Sequence, residues 1–195
     1  PDHPVALHLL GDICRQTGRL EMAVKMLTKA ALLLDDPVHI LCSLGIALMA
    51  RGQLDEAIAA FHRGLDQQPD NAVILANLGA VLTMRCEDKK GAAILKRALQ
   101  IEPASATAHK NLGILLSRKE AFEEASEHFE QALKINPDDY EANACFGTLR
   151  RQRGDYAGAR DCYRRSLGIK PNFAAFLGMG ELFDLTGDLA SALDF

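Results

Sequence analysis

The sequence predicts an all-α fold built from repeated helix-turn-helix units, and three observations carry that prediction. The first is composition. Ala and Leu number 29 each among 195 residues, whereas Val, Ile and Thr together number 21 and Trp is absent. Ala and Leu lose little on entering a helix, while β-branched residues are the natural strand formers, so an all-β sandwich or barrel is excluded. The second is period. Glycines stand at Gly11, Gly45, Gly79, Gly113 and Gly147, and prolines at Pro69, Pro103, Pro137 and Pro171, both series stepping by 34 residues. The third is apolar spacing at i, i+3, i+4 and i+7, as in Leu112, Leu115 and Leu116 followed by Phe122, Ala125, Phe129, Ala132 and Leu133.

With each of these glycines placed at position 8, the repeats run 4–37, 38–71, 72–105, 106–139 and 140–173. Residues 1–3 then close a preceding repeat and 174–195 open a sixth, so 1–195 reads as a single array. The first helix of each repeat takes roughly its first 14 residues and the second roughly the next 15. Position 20 is Ala23, Ala57, Ala125 and Ala159; position 24 is Leu27, Phe61, Leu95, Phe129 and Tyr163; position 27 is Ala30, Gly64, Ala98, Ala132 and Ser166. Small residues at 8, 20 and 27 let neighbouring helices approach, and the large residue at 24 fills the space beside them. The turn inside a repeat is Gly18-Arg19-Leu20, Gly52-Gln53-Leu54 or Gly154-Asp155-Tyr156, with glycine suited to the left-handed conformation that closes a helix. Proline at position 32 ends the second helix, and Pro69-Asp70-Asn71 and Pro137-Asp138-Asp139 offer caps for the next. No repeat buries its faces alone; stacking makes one continuous core.

These positions resemble the tetratricopeptide repeat family over essentially the whole chain. The resemblance implies a right-handed α-solenoid whose concave groove is lined by the first helices. Departures are local. The third repeat has Cys86-Glu87-Asp88-Lys89-Lys90-Gly91 where others have Gly-x-Leu and Ala, so its turn is expected to be the loosest and its second helix weak at the start. The last segment is one residue short between Pro171 and Gly180, and Gly187-Asp188-Leu189 with Ala192 then restores the pattern. Pro1 falls two periods before Pro69 and Phe195 stops inside a second helix, which points to a segment of a longer array.

The function classes narrow by exclusion. The net charge of −4 and pI near 5.9 give no global attraction to nucleic acid or anionic lipid. No apolar run reaches the ~20 residues of a membrane span. The five cysteines, an odd count without a CxxC, disfavour a disulfide framework and fit a reducing compartment such as the cytoplasm. There is no GxSxG, GxxxxGK[ST] or HExxH, so no catalytic centre is expected within these residues, and no cofactor or metal. His8, Asp12, His39 and Cys42 are zinc-type ligands that the groove could gather, but their spacing matches no zinc signature and they read as ordinary groove residues. The arginines Arg150, Arg151, Arg153, Arg160, Arg164 and Arg165 read as partners of the acidic flanking repeats.

The family resemblance places positions 2, 5, 6, 9, 12 and 13 in the groove. The candidate peptide-binding residues are His8, Asp12, His39, Ser43, Ile46, Asn77, Ala80, Lys110, Asn111, Ile114, Arg118, Thr148 and Arg151. This mixed lining suits an extended or helical peptide of a protein partner. Asn77 and Asn111 share position 6 within Asn-Leu-Gly, and an amide both donates and accepts. The arrangement is similar to the asparagine ladder of the O-linked N-acetylglucosamine transferase repeats, partially, since Leu9, Ser43 and Cys145 hold that position elsewhere. The family's carboxylate clamp is not matched: its positions are Cys42, Ile46, Asn77, Thr107 and Asn111, of which Asn77 alone fits. The sequence thus predicts a protein-interaction scaffold. The alternatives are the substrate-recognition arm of a larger enzyme, such as a protein glycosyltransferase, and a structural protein that self-associates through its repeat ends.

Overall fold

The computed structural model describes residues 3–186, which form eleven α-helices and no strand. They are α1 (Pro4–Gln16), α2 (Leu20–Ala31), α3 (Val38–Ala50), α4 (Leu54–Gln67), α5 (Ala72–Met84), α6 (Asp88–Ile101), α7 (Ala106–Arg118), α8 (Phe122–Ile135), α9 (Tyr140–Gln152), α10 (Tyr156–Ile169) and α11 (Phe173–Thr186). The chain divides into two compact units, Pro1–Ala108 and His109–Phe195. The pattern expected to return at Gly187, Leu189 and Ala192, and the readings of Pro1 and Phe195, lie outside the described residues.

Each of the five turns described inside a repeat closes in the same way. The amide at position 16 donates to the carbonyl at position 11: Arg19 to Cys14 at 2.8 Å, Gln53 to Leu48 at 3.0 Å, Glu87 to Leu82 at 2.9 Å, Ala121 to Leu116 at 3.0 Å and Asp155 to Arg150 at 2.9 Å. This six-to-one bond defines the Schellman motif and requires a left-handed residue at position 15. Gly18, Gly52 and Gly154 supply it at φ 77°, 78° and 81°, whereas Cys86 and Glu120 adopt it at φ 60° despite carrying side chains. The third turn, expected to be the loosest, therefore has the same closure as the rest. It is further tied by Arg85, which pairs with Asp55 and lies 3.1 Å from Glu87, and by Lys90, 2.7 Å from Glu87.

The second helices α4, α6, α8 and α10 end two residues before a proline, whereas α2 ends at Ala31, six residues before Pro37. Gln68, Glu102 and Asn136 have left helical geometry at φ near −130° and ψ 83–89°, the extended region to which a following proline drives its neighbour. The residues after the prolines then cap the next helix. Asn71 Oδ1 accepts from the Ile74 amide at 3.1 Å, and Asp139 Oδ1 from the Ala142 amide at 3.0 Å. In the shortened last segment Asn172 takes over, accepting from Ala175 at 2.9 Å.

In the first unit the hairpins α1/α2, α3/α4 and α5/α6 stack through α2 on α3 and α4 on α5. Position 8 meets position 24 as its small size demands: a Cβ on Gly11 would lie 2.6 Å from Leu27 Cγ, and one on Gly45 would overlap the Phe61 ring. Gly91 has the same role at position 20. A Cβ there would stand 2.8 Å from Thr83 Oγ1, so the residue that looked like a weakness brings α5 and α6 together. The stacking positions Ile40, Leu44 and Ala47 of α3, and Ile74, Leu78 and Val81 of α5, are all buried; their α1 counterparts Ala6, Leu10 and Ile13 are exposed.

The second unit uses the same rules with larger rings. Phe129 packs beneath Gly113 and stacks on Phe146 with centroids 5.7 Å apart. Tyr163 is fully buried between two glycines, Gly147 and Gly178, and its hydroxyl donates to Thr148 Oγ1 at 3.1 Å. Asn143 replaces the leucine usual at position 4 and is 1 % exposed. Its amide donates to the Pro137 and Asp139 carbonyls at 3.1 and 3.0 Å, which satisfies a polar group where burial without partners would be costly. Ser166 likewise donates to the Tyr140 carbonyl at 2.6 Å.

Candidate functional site

The first helices α1, α3 and α5 carry the candidate residues of the first unit. His8, Asp12 and Ser43 converge there. His8 Nε2 lies 3.1 Å from Ser43 Oγ and 3.3 Å from Asp12 Oδ2, Ser43 Oγ donates to Asp12 Oδ2 at 3.4 Å, and Arg15 Nε donates to Asp12 Oδ1 at 3.3 Å. A proton relay needs the imidazole to bridge acid and hydroxyl through different nitrogens. Here one nitrogen faces both, so the trio is a hydrogen-bonded knot. Cys42 sits beside it; burial, with the Asp12 charge adding to it, pushes the thiol up to about 11. His39 is exposed on the first turn of α3, and no group of three or more metal-type ligands is gathered among the described residues. Ile46 packs against the core of this unit. Ala80 is buried, at 7 % exposure. Asn77 is half-buried and donates its amide to its own helix at Val73, 2.8 Å away.

In the second unit Lys110 extends from α7 towards the start of α9. Its ammonium is 3.0 Å from Asp139 Oδ2 and 2.8 Å from Glu141 Oε2, with the side chain 13 % exposed. Burial pushes the ammonium down, but the Glu141 and Asp139 carboxylates outweigh it and hold the group above the ordinary lysine value. Arg151 projects from α9 to Glu181 of α11 at 2.8 Å. Asn111 is half-buried.

Between α7 and α9 lies a pocket of about 210 Å³. It is lined by Ile114, Ser117 and Arg118 of α7, Phe129 of α8, and Cys145, Thr148, Leu149 and Gln152 of α9. The structure thus brings together Ile114, Arg118 and Thr148 of the candidates. The pocket exists because residues at positions 9, 12 and 13 of α7 face those at 6, 9 and 13 of α9, while Phe129 and Leu149 close its floor. Phe129 reads from sequence as core alone, and nothing in the repeat pattern marks it or Leu149 as also reaching the groove. Ser117, Cys145 and Gln152 occupy groove positions but carry no sequence signal that singles them out. Burial pushes the Cys145 thiol up to about 11, so it lines the pocket as a neutral, weakly polar group.

The expected pairing of the fifth-repeat arginines is visible in part. Arg153 lies 3.3 Å from Glu123 and donates to Ser126 at 3.0 Å, and Arg150 lies over the Phe146 ring at 4.4 Å with Asp155 3.7 Å away. No helix among the described residues is long and apolar enough to cross a membrane.

Comparison with known proteins agrees with this architecture. Tetratricopeptide repeat models match residues 6–37 and 106–139, and further models of the same repeat match 45–84 and 146–195. No curated protein sequence matches the chain. Among solved structures, a thermophilic tetratricopeptide protein of Thermus thermophilus is 16 % identical with a TM-score of 0.79, over 93 % of this chain and 98 % of that one. PilF of Pseudomonas aeruginosa is 21 % identical with a TM-score of 0.73, over 97 % and 86 %. A MamA protein of Desulfovibrio magneticus RS-1 is 22 % identical with a TM-score of 0.61, over 87 % and 96 %. At these identities the likeness concerns the fold. An all-α array among the described residues, a six-to-one turn in each of five repeats and matching family models along the chain lead to one conclusion: the chain belongs to the tetratricopeptide repeat family.

Proposed function

We propose that the protein is an interaction scaffold that holds a peptide segment of a protein partner against its first helices, with the α7–α9 pocket as the anchor point. The observation that carries this reading is the pocket itself. It is a concave site with an apolar floor and a few polar groups at its rim, which suits one side chain of a bound segment. The Lys110 bridge to Asp139 and Glu141 ties α7, one wall of the pocket, to the start of α9, the other, before a ligand arrives. The test is capture of peptides by the intact chain and by Ile114→Asp, which puts a charge in the α7 wall of the cavity, with helicity followed by circular dichroism. Loss of capture at unchanged helicity is expected; equal capture by both refutes the assignment. Asn77→Ala combined with Asn111→Ala tests the ladder positions in the same assay, and weakened capture is expected.

A second reading, self-association, draws on one observation: α1 presents Val5, Leu9, Leu10 and Ile13, each more than half exposed, as one apolar stripe. Sedimentation across a concentration series tests it, with Leu10→Glu expected to abolish any association; a monomer at every concentration refutes it.

A further inference from the structure

The first unit carries a larger cleft on its second-helix side. It holds about 490 Å³ between α4 and α6, with α5 beneath. Leu78 and Leu82 of α5, at 1 % and 9 % exposure, form its floor, and half-buried Ile58 and Ile94 with exposed Ala93 form its walls. The second unit has a cleft at the same repeat positions, of about 280 Å³. There Ser126 and Glu130 stand at positions 21 and 25 in place of Ile58 and His62. Phe146 and Arg150 stand at 7 and 11 in place of Leu78 and Leu82, and Arg153 and Asp155 at 14 and 16 in place of Arg85 and Glu87. Position 11 makes the difference. The Arg150 guanidinium lies over the Phe146 ring at 4.4 Å with Asp155 3.7 Å away, so the chain covers this floor with its own side chain. Leu82 is too short to do the same, and the floor in the first unit stays open.

The rim of the open cleft is electrically closed. Arg85 pairs with Asp55, its Nε lies 3.1 Å from Glu87 Oε1, and Lys90 Nζ donates to Glu87 Oε2 at 2.7 Å. Two acids thus meet two bases, and the adjacent Asp88 and Lys89 add one of each sign. The Lys90 hydrogen bond holds Glu87 below the usual carboxylate range, so this chain of charges is complete at neutral pH. A charged group entering the cleft loses hydration and finds every rim charge answered, whereas an apolar group gains burial. The walls are helices whose backbone groups are spent in their own ladders. An extended segment would leave its amides and carbonyls unmatched there; a helix satisfies its own. We propose that this cleft is a second docking site, for an amphipathic helix of a protein partner that brings uncharged aliphatic or aromatic side chains to the Leu78–Leu82 floor. It shares no residue with the α7–α9 pocket and stands independently of that reading.

The test is selection from two phage libraries. One presents random side chains at i, i+3, i+4 and i+7 of a helical Ala/Lys/Glu framework of about 20 residues; the other presents flexible random peptides. The baits are the intact chain, Ala93→Glu, Leu82→Arg and Ile114→Asp, with helicity checked by circular dichroism. Ala93→Glu places a charge at an exposed wall position, and Leu82→Arg copies the Arg150 device. The intact chain is expected to enrich helices with uncharged aliphatic or aromatic residues on one face. Ala93→Glu and Leu82→Arg are expected to lose that enrichment and Ile114→Asp to keep it. For a selected helix measured by fluorescence anisotropy, Ala93→Glu is expected to weaken binding roughly tenfold. Raising salt from about 50 to about 500 mM is expected to change the affinity less than about twofold, since no net charge is matched. Failure to enrich helices, enrichment that survives Ala93→Glu, or an affinity that falls steeply with salt overturns the inference. Enrichment lost on Ile114→Asp alone assigns the peptides to the α7–α9 pocket, which overturns this inference and supports the earlier one.

Discussion

Position 15 of the repeat offers a test in which one backbone geometry occurs five times with different side chains. A side chain in the left-handed conformation costs about 1–2 kcal/mol. Replacing it by glycine removes that cost but gives the unfolded chain more freedom, which returns about 0.5–1 kcal/mol. Cys86→Gly and Glu120→Gly are therefore each expected to stabilise the fold, by a net ~0.5–1 kcal/mol. Both side chains are exposed, so packing contributes little to the balance. The reverse changes, Gly18→Ala, Gly52→Ala and Gly154→Ala, meet no heavy atom within 4 Å of the new Cβ. Their expected loss of about 1 kcal/mol is consequently a backbone effect alone. Urea unfolding followed at 222 nm measures these differences, and in a chain of this size each kcal/mol moves the thermal midpoint by roughly 2–4 °C. Stability in repeat proteins is a sum over neighbours, so hydrogen exchange of the two flanking helices supplies the local value. A neutral or harmful effect of glycine at 86 and 120, or alanine tolerated at 18, 52 and 154, would refute the reasoning.

Other outcomes follow from contacts already described. Gly45→Ala, whose Cβ overlaps Phe61, is expected to cost about 1–3 kcal/mol in urea unfolding, whereas Gly168→Ala in α10 meets nothing within 4 Å and is expected to gain up to ~1 kcal/mol from helix propensity. Lys110→Met leaves two carboxylates facing an apolar group and is expected to destabilise by about 1–2 kcal/mol at neutral pH. Because the folded pKa of Lys110 is raised, its contribution is complete below the ordinary value of 10.5 and fades as pH climbs through the higher folded value. The gap between the native chain and the variant should therefore narrow only in strongly alkaline melts. A thiol reagent at pH 8 should label exposed Cys86 first and leave Cys42 and Cys145, both pushed up to about 11, unmodified on the same timescale, as read by mass spectrometry.

Much of the fold was legible because the period repeats the same physical problem. Gly at 8 against a large residue at 24, proline at 32 and a cap at 34 each solve one contact, and a solution repeated three to five times is hard to miss. Legibility failed where one repeat solves its problem alone. Gly91 reads as a helix weakness on propensity alone, yet it fills position 20, where the close approach of Thr83 leaves no room for a side chain. Gly178 lies outside the position-8 series, yet it meets Tyr163 of the preceding repeat, a cross-repeat contact that the period does not mark. Asn143 is a buried brace between a proline loop and its helix, a role that no periodic rule assigns. The groove positions on α7 and α9 could be assigned from the family resemblance, but the pocket between them depends on how far Phe129 and Leu149 stand back, which is a matter of depth and not of periodicity.

The setting of Tyr163 has a practical consequence. The chain has no tryptophan and three tyrosines, Tyr140, Tyr156 and Tyr163, all inside repeat 140–173. Ultraviolet absorbance and intrinsic emission therefore monitor a single hairpin, and chiefly the ring held between Gly147 and Gly178. Far-ultraviolet dichroism sums over all eleven helices. Running both on one sample converts an ordinary melt into a spatial measurement: superimposable curves mean that the array loses its structure in concert, and an offset between them dates the departure of the fifth repeat relative to the rest without any label being attached.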